Sequence, residues 1–171
     1  MEITLKGSSL FVAILLTGLS AGLFYAWEVS VIPGTKRIPD KTYVESMQAI
    51  NRAILNPAFY AIFFGSLIFL LLNTYAQFQS GLGLAFYLIL GASLSYLIGT
   101  FGVTAFGNVP LNDGLDVVQI EELSKKALAE IRHAYEGQWN RLHSIRTFFS
   151  VLALVLSLLA AFSDKQANLQ L

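Results

Sequence analysis

The sequence predicts an all-α integral membrane protein, a four-helix bundle with an amphipathic interfacial helix in each long connection. Its composition indicates this class, because 55% of the 171 residues are hydrophobic and only 13% are charged, whereas soluble domains carry about 25% charged residues. The mean hydropathy is +0.61. A soluble core of this length could not bury so much apolar surface, so a bilayer is the expected solvent. We expect residues 1–171 to form a single transmembrane domain.

Four apolar stretches are long enough to cross a bilayer as helices, at about residues 10–27, 57–75, 82–106 and 145–162. The first would be about 27 Å long at about 1.5 Å per residue, close to a hydrocarbon core of about 30 Å. A cleaved signal peptide is the alternative for this stretch. However, bulky Phe24, Tyr25 and Trp27 stand where small residues normally precede a cleavage site. We therefore predict a retained span.

The two long connections contain the polar part of the sequence. Residues 31–34 are predicted to stop the first helix, and residues 40–55 have the spacing of an amphipathic helix on the membrane surface. Pro110 disfavours helical geometry at Val109, so the third span is predicted to end before it. Residues 115–137 are charged and helix-prone, and they lead into the fourth span.

Charge predicts the orientation and excludes one class of partner. The 11 basic and 11 acidic residues balance, which leaves no electrostatic footprint for nucleic acid. Nine of the 11 basic residues lie in the two long connections, the other two being Lys6 and Lys165. The positive-inside rule therefore places both long connections in the cytoplasm and both termini outside. We expect the protein to reside in the cell (inner) membrane.

Small residues recur every four positions in the first and third spans. Gly18, Gly22 and Ala26 form one row, and Gly91, Ser95 and Gly99 form the other. In lipid, such rows allow two helix backbones to approach closely. We predict that they pack within one bundle; a face that pairs two copies of the chain is the alternative, so a homo-oligomer stays open.

A polar and aromatic stripe leads into the fourth span. At about 100° per residue, five side chains of a helix fall within about 40° on either side of the direction of Arg132. They are Arg132, Glu136, Trp139, His143 and Arg146. Asn140 flanks the stripe. Ionisable groups that enter a bilayer tend to face a bundle interior or cavity. The alternative is an interfacial collar, in which Trp139 lies in the aromatic belt and Arg146 reaches the lipid headgroups.

Two further groups are expected to approach the stripe. Thr100, Thr104 and Asn108 share one face at the end of the third span, and Asn112 follows Pro110. An asparagine side chain both donates and accepts hydrogen bonds, so it suits a carbonyl, a phenol or a helix end. Glu28, at the end of the first span, is expected to lie on the same side of the membrane and to pair with Arg146 or Arg52.

Several reaction classes are excluded or weak. The chain has no cysteine and two histidines, so it has no thiolate chemistry and no cysteine-ligated metal. Glu130 and His133 match only half of the di-iron pattern of helical bundles. No nucleophile elbow for a serine triad is present. We expect no metal site.

Four segments resemble a family of small four-helix membrane proteins that includes the fungal anthrone oxygenases. They are AGLFYAWEVSVIPG, MQAINRAILNPAF, NVPLN and the W-N-x-x-H-x-x-R run, in the expected order from about Gly18 to Leu156. The matching positions are Pro33, Gly34, Asn51, Pro57, Asn108, Pro110, Asn112, Trp139, Asn140, His143 and Arg146. The sequence is more similar to bacterial members than to the fungal enzymes.

The resemblance implies oxidation of an electron-rich phenol, such as an anthrone, to a quinone by dioxygen, with no cofactor. The ligand would be a hydrophobic aromatic small molecule or quinol. His143 has the ordinary pKa range of a base, and Arg146 would stabilise a phenolate or peroxide anion; these two are the candidate catalytic residues. The candidate substrate-binding residues are Asn108, Asn112, Trp139, Asn140, Glu28 and Asn51. The alternative is a non-catalytic membrane protein that binds lipid or a small molecule, or serves as a scaffold or accessory subunit.

Overall fold

The computed structural model describes the backbone of residues 4–168 and the side chains of residues 4–163. Within that range the chain forms five helices and no strand. They are α1 (Leu5–Thr35), α2 (Asp40–Ala53), α3 (Pro57–Ser80), α4 (Leu84–Asp116) and α5 (Lys125–Asn168). All except α2 are long and apolar enough to cross a membrane. The predicted four-helix membrane bundle is confirmed.

The four long helices pack as a closed bundle. α1 packs against α3 and α5, and α4 packs against α3 and α5. Ala13, Leu70 and Tyr96 are fully buried at the centre. The phenol of Tyr96 donates to the carbonyl oxygen of Phe63 at 3.2 Å, and it lies 2.9 Å from the hydroxyl of Ser20. Tyr96 and Ser20 thus satisfy each other's hydroxyl groups inside the bundle instead of meeting lipid.

Both helix ends predicted from prolines are wrong, because the helices continue through them. α1 runs through Pro33 to Thr35, and α4 runs through Pro110 with Val109 at φ −61° and ψ −49°. In each case a π-helical stretch comes just before, at Trp27–Val31 and Thr104–Asn108. The proline then stands in the first turn of a new α-helical segment, where a missing N–H costs little.

The two long connections differ from each other. The first contains α2, as predicted. In the second, a short turn at Ile120–Glu122 precedes α5, and α5 then runs without interruption into the fourth span. The amphipathic helix expected there is therefore the first part of α5, and it is held rigidly to the span that follows.

The predicted contact of Gly22 and Ala26 with another helix is wrong. Both residues are exposed on α1, and a Cβ on Gly22 would meet no atom within 4 Å. The buried side of α1 instead carries Ala13, Thr17, Ser20, Ala21 and Phe24. The close approach occurs on α4, where a Cβ on Gly99 would overlap the side chain of Phe149.

A layer at the membrane surface joins α2 to the start of α5. Arg132 is its central contact: Nη1 donates to the carbonyl oxygen of Ile38 at 2.8 Å and to Asp40 at 3.0 Å, and Nη2 donates to that of Thr35 at 3.1 Å. Its Nε donates to Glu136 at 2.7 Å. The guanidinium lies 4.5 Å above the ring of Tyr43, whose pKa burial raises, so that phenol stays neutral.

We expect Arg132→Gln to lower the free energy of unfolding by about 2–4 kcal/mol, because two acids and two backbone carbonyls lose a charged donor. The side chain of Arg132 is only 12% exposed, so water cannot replace these bonds fully. Arg141 lies exposed on the same helix and provides the matched control, Arg141→Gln. Thermal unfolding in detergent measures both variants. Equal losses in the two would contradict this role for Arg132.

Candidate functional site

His143 and Arg146 face into the bundle from α5, one helical turn apart. The His143 side chain is fully buried and Arg146 is 8% exposed. The Nε2 of His143 donates to the carbonyl oxygen of Phe24 at 3.0 Å, and its Nδ1 accepts from Nε and Nη2 of Arg146 at 3.1 and 2.9 Å. This network assigns the proton of a neutral ring to Nε2. His143 therefore ties α1 to α5 and orients Arg146.

The guanidinium of Arg146 is buried without an acid. It lies 4.7 Å from the ring centre of Phe24 and 5.1 Å from that of Trp139. Nη1 is 3.5 Å from the hydroxyl oxygen of Thr104. Among the described residues, no carboxylate forms an ion pair with it. A buried cation whose partners are neutral is costly.

The predicted partners of Arg146 do not bond to it. Glu28, the predicted acid partner, bonds to Ser144 instead, and the polar residues expected nearby also have other partners, namely Glu136, Asn108 and Asn112. Arg52, the alternative partner of Glu28, pairs instead with Asp116 at 2.6 Å. Glu28 does not pair with Arg146 because the two residues approach different nitrogens of the His143 ring. Arg146 donates to Nδ1, whereas Glu28 Oε2 lies 3.8 Å from Nε2.

A column of stacked rings runs along α5 at four-residue intervals. The Tyr135 and Trp139 ring centres are 6.3 Å apart at 25°, and those of Trp139 and His143 are 5.0 Å apart at 8°. Trp27 packs beside Trp139 at 5.7 Å. Together with Phe24, these rings give the buried cation flat apolar walls. Sequence reasoning missed Tyr135, although it lies one turn before Trp139 on the same face.

Three amides reach this column from other helices. Asn112 Oδ1 accepts from the phenol of Tyr135 at 2.9 Å and from the indole nitrogen of Trp139 at 2.8 Å, and Asn51 donates to Tyr135 at 3.2 Å. Asn108 is fully buried and donates to the carbonyl oxygen of Trp139 at 3.2 Å. Its Oδ1 is buried and has no hydrogen-bond partner among the residues that the structure describes, so it has free capacity to accept.

Glu28 borders the site, whereas Asn140 lies outside it. Glu28 Oε1 accepts from the hydroxyl of Ser144 at 2.9 Å, and its Oε2 is buried with no hydrogen-bond partner in the described part of the chain. Asn140 instead lines a separate polar cleft of about 620 Å³. That cleft, which we call the polar cleft, is also lined by Lys36, Arg132, His133, Glu136 and Gly137.

Irregular helix surrounds Arg146 on two sides. Glu28 lies on the π-helical stretch of α1, and Thr100, Thr104 and Asn108 lie on two such stretches of α4, Ser95–Gly102 and Thr104–Asn108. The hydroxyl of Thr100 donates to the carbonyl oxygen of Arg146 at 3.3 Å. π-helical turns are rare and occur frequently at functional sites. No residue pattern in the sequence predicted these π-helical turns.

One known protein family matches most of the bundle. A family model described as anthrone oxygenase matches residues 54–156, more than half of the chain. The chain belongs to the anthrone oxygenase family. The match covers α3, α4 and the site-bearing part of α5, so Arg146, His143 and Asn108 of this family member fall within it, while Glu28 and Asn51 lie outside. No curated protein and no solved structure matches the chain significantly.

Proposed function

We propose that this member of the anthrone oxygenase family is a membrane oxidoreductase that binds a lipophilic phenol or quinol as its anion. The observation that carries the proposal is the buried guanidinium of Arg146, whose contacts among the described residues are all neutral. A phenolate oxygen supplies the missing negative charge. In a desolvated site this attraction is far stronger than in water.

Arg146 retains hydrogen-bond donors for such a ligand. A guanidinium has five N–H groups, and in the structure two of them point at His143 and one at Thr104. Asn108 Oδ1 accepts the hydroxyl of a quinol or of a second phenol group. The rings of Phe24 and Trp139 enclose the aromatic body. The site thus suits a flat hydroxylated ring.

His143 has a positioning role in this proposal. A general base needs a free ring nitrogen, and both nitrogens of His143 already hold hydrogen bonds. Glu28 has the free acceptor, Oε2, next to that ring. Its side chain is 34% exposed, so a proton taken from the phenol can pass on to water. Glu28 is therefore our candidate for the base.

The proposed reaction balances with dioxygen as the oxidant. Loss of the phenol proton makes the ring electron-rich, and the anion donates electrons to O2. For an anthrone, the ring CH2 becomes a carbonyl. One oxygen atom of O2 stays on that carbon, and the other leaves as water with the two hydrogens. A quinol would instead lose two hydrogens to the same oxidant, giving peroxide.

A non-catalytic membrane protein that binds lipid or a small molecule is the second candidate. The burial of His143, Asn108 and Arg146 favours it, because side chains enclose these groups. In that case Arg146 would be a costly structural contact, and no phenol would become ionised beside it. The same measurement separates the two candidates.

The test is the ionisation of a fluorescent naphthol bound to the protein in lipid nanodiscs. A nearby cation favours the charged form of an acid, so we expect the pKa of the bound naphthol to fall by about one to two units, which is about 1.4–2.7 kcal/mol. This lowering should vanish in Arg146→Gln and persist in the exposed control Arg141→Gln. If the naphthol has the same pKa in empty and protein-containing nanodiscs, the non-catalytic candidate replaces the oxidoreductase.

A further inference from the structure

An apolar groove of about 600 Å³ lies where α4 meets α5. Its lining includes Ile98, Phe101, Val103, Phe106, Gly107 and Leu142, all apolar. Ile98 and Phe106 are 67% and 87% exposed and belong to a span, so this side of the groove faces hydrocarbon. We call it the seam groove.

Residues that line the seam groove are neighbours along the chain of residues that surround the buried cation. Leu142 precedes Arg146 by four residues, so both lie on the α5 face that meets α4. Across the contact, Arg146 Nη1 is 3.5 Å from Thr104, the neighbour of groove-lining Val103. Gly107, at the end of the groove, precedes Asn108, whose Oδ1 has no hydrogen-bond partner.

Gly107 and Leu142 are in close contact in the lining of the seam groove. A Cβ on Gly107 would be 3.0 Å from Cδ1 and 3.2 Å from Cδ2 of Leu142. These atoms are the ends of a flexible side chain, which moves between staggered rotamers. The contact between α4 and α5 at Gly99 is tighter, because a Cβ on Gly99 would overlap Cβ and Cγ of Phe149. Movement is therefore easiest at Leu142.

We propose that the seam groove is a lateral entrance through which a flat hydroxylated aromatic molecule passes from the bilayer to Arg146, with Gly107 and Leu142 as its gate. The inference rests on the proposed function, since it takes that substrate class as the occupant. Apolar walls at hydrocarbon depth suit a molecule dissolved in lipid. An acyl chain also fits such walls, but it brings no oxygen to the cation and no hydroxyl to Asn108.

The competing route is the polar cleft, which opens at the membrane surface beside Gly137. It is lined by Lys36, Arg132 and Glu136, which suit a charged or water-soluble ligand better than a lipophilic one. Entry from there would place the gate on α5 and α1, away from Gly107. The two routes therefore predict effects of substitutions at different glycines.

The experiment measures the association and dissociation rates of the naphthol by stopped-flow fluorescence in nanodiscs. Narrowing an entrance slows both rates and leaves their ratio unchanged. We expect Gly107→Leu to lower both rates at least tenfold while Kd stays within twofold. Leu142→Ala, which widens the gate, should raise both rates at least threefold. The matched control is Gly137→Leu, which narrows the polar cleft and should leave both rates at wild-type values.

The outcomes separate the entrance from the proposed function. One outcome is that Arg146→Gln weakens naphthol binding, while Leu142→Ala and Gly107→Leu bind and release naphthol at the wild-type rates. The proposed entrance is then wrong and the proposed function stands. Slowed rates in Gly137→Leu alone would move the entrance to the polar cleft and overturn this inference. If the wild-type protein binds no naphthol, both proposals fall. Should Gly107→Leu fail to fold, the rates of Leu142→Ala decide alone.

Discussion

Replacing Arg146 with methionine is expected to abolish binding of an anionic phenol while the protein stays folded, with a free energy of unfolding within about 2 kcal/mol of wild type. Two effects oppose each other. Removing a buried charge that has no acid partner is stabilising, because such a charge loses its hydration on folding without gaining an opposite charge. Leaving Nδ1 of His143 without its donor costs about 1–3 kcal/mol. Tryptophan fluorescence during thermal unfolding measures the stability, and the naphthol titration measures binding.

The double variant His143→Leu/Arg146→Met sharpens this expectation. It removes the charge together with the acceptor, and the carbonyl oxygen of Phe24, which loses the bond to His143, still accepts from the backbone N–H of Trp27. We therefore expect it to unfold at a higher temperature than Arg146→Met, by about 2–4 °C for each kcal/mol regained. Arg132→Gln provides the contrast, because Arg132 has two acid partners. Unchanged naphthol binding in Arg146→Met, or a loss of stability as large as that of Arg132→Gln, would contradict a ligand-binding role for Arg146.

The second large effect concerns packing, where Gly99→Ala is expected to lower the free energy of unfolding by about 3 kcal/mol or more. The added Cβ would overlap Cβ, Cγ and Cδ2 of Phe149. A side chain cannot rotate its own Cβ away, so α4 and α5 must separate along the bundle. In lipid, where close packing is a main source of helix association, such a separation is costly.

Gly22→Ala is the matched control for this packing effect. A Cβ there meets no atom within 4 Å, and alanine has a helix propensity up to about 1 kcal/mol better than glycine. We expect its unfolding temperature to equal or exceed that of wild type. Adding Phe149→Ala to Gly99→Ala should recover part of the loss, which a double-mutant cycle measures. Equal unfolding temperatures for Gly99→Ala and Gly22→Ala would show that the overlap is relieved without cost.

The sequence predicted the site best where the helix is regular. α5 is a continuous helix, so a rotation of about 100° per residue correctly placed Trp139, His143 and Arg146 on its buried side. The same spacing argument grouped Thr100, Thr104 and Asn108 on one face of α4, and all three are buried although π-helical turns interrupt that helix. Asn51 and Asn112 reach Tyr135 through contacts between residues distant in sequence, which spacing along one helix cannot reveal.

The errors have physical causes in the same residues. Proline rules failed at Pro33 and Pro110 because a π-helical stretch before each one starts a new α-helical segment. The predicted helix contact at Gly22 and Ala26 failed because a four-residue spacing identifies a face of small residues but does not show which helix contacts that face. The predicted pairing of Glu28 with Arg146 failed because Arg146 bonds to Nδ1 of His143 while Glu28 lies near Nε2 of the same ring, an arrangement that depends on how α1 and α5 pack. Each error thus lies in a feature that only the packed bundle determines.

The tether between α1 and α5 has one end on a backbone atom. His143 binds the carbonyl oxygen of Phe24, which every residue at that position offers, whereas the ring of Phe24 forms a wall beneath Arg146. The backbone of Phe24 therefore contributes to the alignment of the two helices, and its side chain separately determines the shape of the space beneath the guanidinium of Arg146. Evolution or an engineer can reshape what fits beside Arg146 through position 24 while the helices stay in register.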